Sequence, residues 1–177
     1  SAYILLVLAT LFWSGNFIVG KFAYLFQIPP LTLNVLRWIS VWLILMPFTY
    51  KEIYQNLPHI KKKWLVISFM GVITISTFNS VVYFALNYTQ VINAVLVLAA
   101  IPAATIVLSS LMNIEKTNIF QLIGLFLSIT GIVVIISYGD IQKIITLNFN
   151  KGDLWMLVCV ITWALYSTLL KKNKFEF

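Results

Sequence analysis

"TLFWSGNFIVGK", Thr10–Lys21, lies inside the first long apolar run of the chain and carries residues that a lipid-facing segment has no use for. Ser14, Gly15, Asn16 and Lys21 stand there among Leu, Phe, Trp, Ile and Val. Composition defines the setting. The 177 residues are 61% hydrophobic and only 10% charged, against about 45–50% and about 25% in soluble domains. A chain this apolar cannot keep its surface in water, so it belongs in a bilayer. A transmembrane barrel would alternate apolar and polar residues in short segments. Here the runs are long and unbroken, which predicts helices.

Six runs approach the roughly 20 residues that a spanning helix needs: Tyr3–Phe26, Leu31–Tyr50, Trp64–Asn87, Val91–Met112, Ile119–Tyr138 and Asp153–Leu170. Only Lys51–Lys63 and Gly139–Gly152 form longer connections, and no linker or low-complexity stretch divides the chain. The predicted fold is all-α: a polytopic transmembrane bundle of six helices. The first run is too long for the core of a signal peptide and has no small-residue cleavage site. The chain begins at Ser1 without Met, so a few preceding residues are expected.

Charge gives an orientation. The loops after even-numbered helices hold Lys51, Lys61, Lys62, Lys63 and Lys116, and the tail after helix six holds Lys171, Lys172 and Lys174. The other side has Lys143 and Lys151, with Lys21 near the end of the first helix. Cytoplasmic loops carry the Lys/Arg excess, so both termini are expected in the cytoplasm and the protein in the inner (plasma) membrane. The net charge of +7 is this asymmetry. No basic patch interleaved with aromatics marks a nucleic-acid partner, and the expected neighbours are lipids.

The residues of soluble chemistry are scarce. One Cys (Cys159) and one His (His59) allow neither an internal disulfide nor a His/Cys metal cluster, so no metal, no cofactor and no enzymatic activity are expected. Glu52, Glu115, Asp140, Asp153 and Glu176 all fall at helix ends or in loops. "GNFIVGKF" fits G-x-x-x-x-G-K, but Phe22 stands where a phosphate-binding loop needs Ser or Thr, and no strand precedes it.

Helix six repeats the opening pattern. In "TWALYSTLLKK", Thr162–Lys172, Trp163 precedes Lys171 by the interval at which Trp13 precedes Lys21. Helices one and six cross the bilayer in opposite directions, and inverted repeats are characteristic of secondary transporters.

The chain resembles the drug/metabolite transporter superfamily, in its EamA-type branch. The resemblance is carried by "FWSGNFIVGK", by "PLTLNVLRWISVWLILMPF" (Pro30–Phe48), and most tightly by "FNSVVYFALNYTQVINAVLVLAAIPAATIVLSSLMNIEK" (Phe78–Lys116). "QLIGLFLSITGIVVII" (Gln121–Ile136) and "GDLWMLVCVITWALYSTLLKK" (Gly152–Lys172) extend it over nearly the whole chain. It implies a ten-helix fold of two inverted five-helix repeats. Residues 1–138 then form the first repeat, and residues 139–177 a loop with the first helix of a second. The remaining four helices are expected from the same protein, of which this is a fragment, or from a partner chain. The activity implied is transport of small metabolites by alternating access; the alternative is a membrane scaffold that does not transport.

Uncharged polar side chains in hydrocarbon turn toward the bundle interior. Ser76, Asn79, Ser80, Tyr83 and Asn87 recur at helical spacing on one face of helix three. The resemblance implies a central cavity among helices one, three, four and six. The expected lining is Trp13, Asn16, Asn79, Tyr83, Asn93, Trp163 and Tyr166. Small residues also serve helix packing, the role read for Gly124, Ser128 and Gly131. Glu115 is read as favouring the start of helix five. Arg37 lies about two turns, about 10 Å, into helix two. Three roles fit it: snorkelling to the outer headgroups alongside Lys21, bonding to helix-end carbonyls, or attracting an anionic group of the solute. With no Glu inside a run, a neutral, zwitterionic or anionic solute such as an amino acid fits better than an organic cation.

Overall fold

The structure is a computed structural model that describes residues 2–115, 117–140, 142 and 150–173. Lys116, Lys143, Lys174 and Glu176 lie outside the described residues. The chain runs through α1 (Ala2–Leu25), α2 (Pro30–Gln55), a short α3 (Leu57–Lys62), α4 (Trp64–Gly71), a π-helical segment (Val72–Phe78), α5 (Asn79–Ala85), α6 (Val91–Leu98), α7 (Ile101–Leu111), α8 (Ile119–Ser137) and α9 (Lys151–Asn173). Five stretches are long and apolar enough to span a membrane: α1, α2, Trp64–Ala85, Val91–Leu111 and α9. The sixth apolar helix, α8, has 19 residues, about 28 Å at 1.5 Å per residue and close to the hydrocarbon thickness of about 30 Å. The fold is an all-helical polytopic membrane bundle.

Two of the spans are interrupted for local reasons. Pro102 stands in the first turn of α7 and has no N–H to give the carbonyl four residues back, so the fourth span breaks at Ala99–Ala100. In the third span, Val72–Phe78 winds as a π-helix, which inserts extra backbone into the turn. That insertion re-phases the side chains. Asn79 is buried while Ser76 faces outward, although sequence spacing puts them on one side.

The packed centre is α9. Its buried residues Met156, Cys159, Val160, Ala164 and Thr168 follow helical spacing, and it packs against α5, α6, α7 and the π segment. α1 buries only Phe17, Gly20 and Ala23, on one face, and α2 buries only Asn34. Their remaining apolar surface is exposed, as lipid-facing helices require.

The two ends of the bundle differ. At one, Lys21 Nζ donates to Leu86 O at 2.7 Å and Thr89 O at 3.0 Å, closing the turn between α5 and α6. Lys21 is thus not a headgroup anchor; it satisfies carbonyls left open where a helix ends. At the other end, Lys63 Nζ donates to Asn173 O at 2.9 Å and Lys171 pairs with Glu115. Both members of that pair are about half exposed, at 51% and 52%, so it contributes roughly 0–1 kcal/mol. Glu115 does not serve the start of α8. That start is capped by Asn118 and Gln121 in a reciprocal capping box, which satisfies two open N–H groups directly. Gly124 and Gly131 have nothing within 4 Å of the position of an added Cβ, so they mediate no close helix contact among the described residues.

Candidate functional site

Arg37 points into the bundle. Its Nη1 donates to Tyr83 Oη at 2.6 Å and to Asn16 Oδ1, and its Nη2 donates to Asn79 Oδ1 at 2.6 Å. Tyr83 Oη in turn donates to Asn16 Oδ1 at 2.6 Å. Of the three roles open to Arg37 in the sequence, snorkelling and helix-end capping are not what the geometry shows. Three neutral polar side chains from two other spans hold the guanidinium, whose planar fork lets one residue bridge them.

Local structure positions each partner. Two carbonyls of the π segment, Thr74 O and Ile75 O, accept from side-chain amides. Asn79 Nδ2 takes Thr74 O at 2.7 Å, which fixes its Oδ1 toward Arg37. One turn before Arg37 on α2, Asn34 Nδ2 donates to Ile75 O at 2.8 Å and Ser80 Oγ at 3.0 Å. α2 is therefore joined to the third span at two successive levels. Tyr83 is held from the opposite side by Gly20 of α1. A Cβ on Gly20 would stand 2.7 Å from Tyr83 Cδ1 and 2.9 Å from Leu86 Cδ1, so only glycine lets α1 approach this closely.

A cavity of about 930 Å³ opens beside this cluster. Asn16 and Gly15 of α1, Arg37 and Trp38 of α2, Thr74 and Asn79 of the third span, and Trp163 and Tyr166 of α9 line it. Its far wall is aromatic. Trp13 stacks on Trp163 with ring centroids 5.9 Å apart, and Trp163 also meets Phe78 at 4.6 Å and Tyr166 at 5.7 Å. Arg37 Cζ lies 5.2 Å from the Trp38 ring and 5.6 Å from that of Tyr83, within cation–π range. No carboxylate among the described residues pairs with Arg37.

Six of the seven expected lining residues meet here: Trp13, Asn16, Asn79, Trp163 and Tyr166 in the cavity wall, and Tyr83 behind Arg37. Asn93 does not. It donates to Tyr138 Oη at 2.8 Å, on the side of α6 that faces α8. The resemblance implied helix four as a cavity wall, but α6 packs on α8 and Asn93 is taken up there. Sequence reasoning missed Asn34, Trp38 and Thr74. Asn34 carried a usable signal, as a second strongly polar side chain one turn from Arg37.

The sequence profile of the EamA-like transporter family matches residues 1–137. This chain belongs to that family. Among curated proteins it is similar to the uncharacterized transporter YyaM of Bacillus subtilis (strain 168), 27% identical over 94% of this chain and 54% of that protein. It is also similar to an uncharacterized transporter of Archaeoglobus fulgidus, 29% identical over 96% of this chain and 57% of that protein. A third, from Clostridium kluyveri, is 24% identical over 97% and 56%. The chain thus spans a little over half the length of the curated relatives it matches. No solved structure gives a significant match. Membership in this family makes the chain a multi-pass membrane protein of transporter type.

Proposed function

We propose that this chain forms one half of the solute pathway of a secondary transporter. The pathway carries small zwitterionic or anionic metabolites, amino acids among them, across the inner (plasma) membrane by alternating access, and residues 2 and 173 lie toward the cytoplasm. Residues 1–138 act as one five-helix repeat and α9 as the first helix of an inverted second. The observation that carries the reading is the Arg37 cluster beside the cavity. The guanidinium is held by neutral acceptors alone among the described residues. A positive charge without an acidic partner in a low-dielectric bundle is costly, and a solute carboxylate at that place offsets the cost. The aromatic wall of Trp13, Trp163 and Tyr166 takes the apolar part of the same solute. The volume falls within the range of about 300–1,000 Å³ usual for small-molecule sites.

The test is counterflow in proteoliposomes containing the full-length protein. Radiolabelled L-leucine, L-phenylalanine and short monocarboxylates are compared with the amines that lack the carboxylate. Carboxylate-bearing solutes are expected to exchange and the amines not to. Arg37→Gln is expected to lower exchange at least about tenfold, the factor set by a charge-assisted bond. Equal exchange of leucine and its decarboxylated amine, or an unchanged rate in Arg37→Gln, overturns the reading.

A further inference from the structure

A second polar cluster lies at the other end of α9 from Lys171, away from the cavity. Asp153 is fully buried there. Thr89 Oγ1 donates to its Oδ1, and Oδ2 is buried without a hydrogen-bond partner among the described residues. The sequence placed Asp153 at a helix end, where water ordinarily reaches a carboxylate. The structure seals it instead, and Gly152 shows how. A Cβ on Gly152 would stand 2.7 Å from Ala85 O and 2.8 Å from Thr89 N, so the start of α9 rests directly on the α5–α6 turn. Asn150 adds a clamp, with Nδ2 donating to Tyr88 O at 2.7 Å and Oδ1 accepting from Gly152 N at 2.7 Å.

Two demands act on this carboxyl. The Thr89 hydroxyl and the position in the first turn of α9 favour the carboxylate. The dry packing and the unmatched Oδ2 favour the acid, since a buried charge with an unsatisfied oxygen is expensive. Other ionisable groups nearby are few. α6, α7 and the π segment carry none. α5 carries Tyr83, committed to Arg37. The turn carries Tyr88, α9 carries Lys151, and α1 carries Tyr24 and Lys21. Lys21 touches the same Thr89 through its carbonyl.

We infer that Asp153 is a proton-binding site that couples solute movement to protons at this end of the bundle. In the packed state Oδ2 carries the proton. Release of that proton to the adjoining aqueous phase leaves a carboxylate. Two movements satisfy it: the start of α9 parts from the turn and admits water, or Lys21 leaves the Leu86 and Thr89 carbonyls and turns toward it. The first loosens the clamp between α9 and the α5–α6 turn; the second releases the turn from α1. Uptake of a proton restores the packed state. The coupling rests on the transporter reading above; the proton site does not.

The experiment is infrared titration of the full-length protein in nanodiscs, which needs no solute. A protonated carboxylic C=O band that disappears as pH rises is expected in the wild type and absent in Asp153→Asn. Thr89→Val keeps the volume and removes the donor to Oδ1. It is expected to retain the band and to move its titration midpoint by about one pH unit, the size set by one bond to a charged group. That shift carries the assignment if Asp153→Asn does not fold. Absence of the band in the wild type, its persistence in Asp153→Asn, or an unmoved midpoint in Thr89→Val overturns the site. In proteoliposomes, Asp153→Asn is expected to keep L-leucine counterflow within about twofold, as an uncharged isostere of the acid should. It is also expected to lose accumulation driven by a pH gradient. Counterflow without gradient-driven accumulation in the wild type overturns the coupling. A titrating band with no flux of any solute overturns the transporter reading and leaves the proton site standing.

Discussion

Arg37→Lys separates charge from shape. Lysine keeps the positive charge but offers one ammonium group where arginine offers a planar fork. It cannot bridge Asn16, Tyr83 and Asn79 with the geometry seen here. Each lost bond to the charge is worth about 1.5–3 kcal/mol. Arg37→Lys is therefore expected to lower the midpoint of thermal unfolding in detergent and to reduce exchange of carboxylate solutes about tenfold. A fluorescence melting curve beside a counterflow rate measures both, and unchanged values in the two assays contradict the bridging role. At this scale the sequence was partly readable. Asn16, Asn79 and Tyr83 were identifiable because a polar side chain in an apolar run must find a partner. The direction of Arg37 was not, because a long side chain two turns into a helix can reach headgroups or the interior at similar cost. Only the placement of its partners on other helices decides between them.

At the scale of elements, the cluster depends on how closely α1 approaches α5. Gly20 sets that distance, with the Tyr83 ring lying where a Cβ would stand. Tyr83 is not free to yield, because its hydroxyl is bonded to Asn16 and Arg37. Gly20→Ala is therefore expected to cost about 1–3 kcal/mol, as overpacking does, and to weaken exchange although residue 20 is not among the cavity-lining residues. The check is chemical unfolding in detergent together with counterflow. A Gly20→Ala protein that matches the wild type in both shows that α1 has room to shift. The same scale explains where spacing failed. The helices themselves were legible from long apolar runs, but the π segment and the break before Pro102 shift phase within a span. Ser76, counted with Asn79 across the π segment, ends on a face other than the expected one. Short-range spacing held where the helix is regular, as in Trp163 and Tyr166 of α9.

For the whole molecule, the working direction depends on which end faces the cytoplasm. Lys51, Lys61, Lys62 and Lys63 gather with Lys171 and Lys172 at one end of the bundle, where Lys63 reaches Asn173. Lys21, Asp153 and the α5–α6 turn gather at the other. The orientation proposed above, from the Lys/Arg excess, has the first end in the cytoplasm. Single cysteines read this out in intact cells, in full-length protein whose other thiols have been removed. Phe26 and Tyr88 are exposed near the Lys21 end, and Gln55 and Lys62 are exposed near the Lys63 end. Phe26→Cys and Tyr88→Cys are expected to react with a membrane-impermeant maleimide added outside. Gln55→Cys and Lys62→Cys are expected to react only after permeabilisation. The reverse pattern would invert the protein and, with it, the side from which Asp153 exchanges its proton. Orientation thus fixes the side of the coupling: with the Lys63 end inside, acid outside the cell is what closes the clamp over α9.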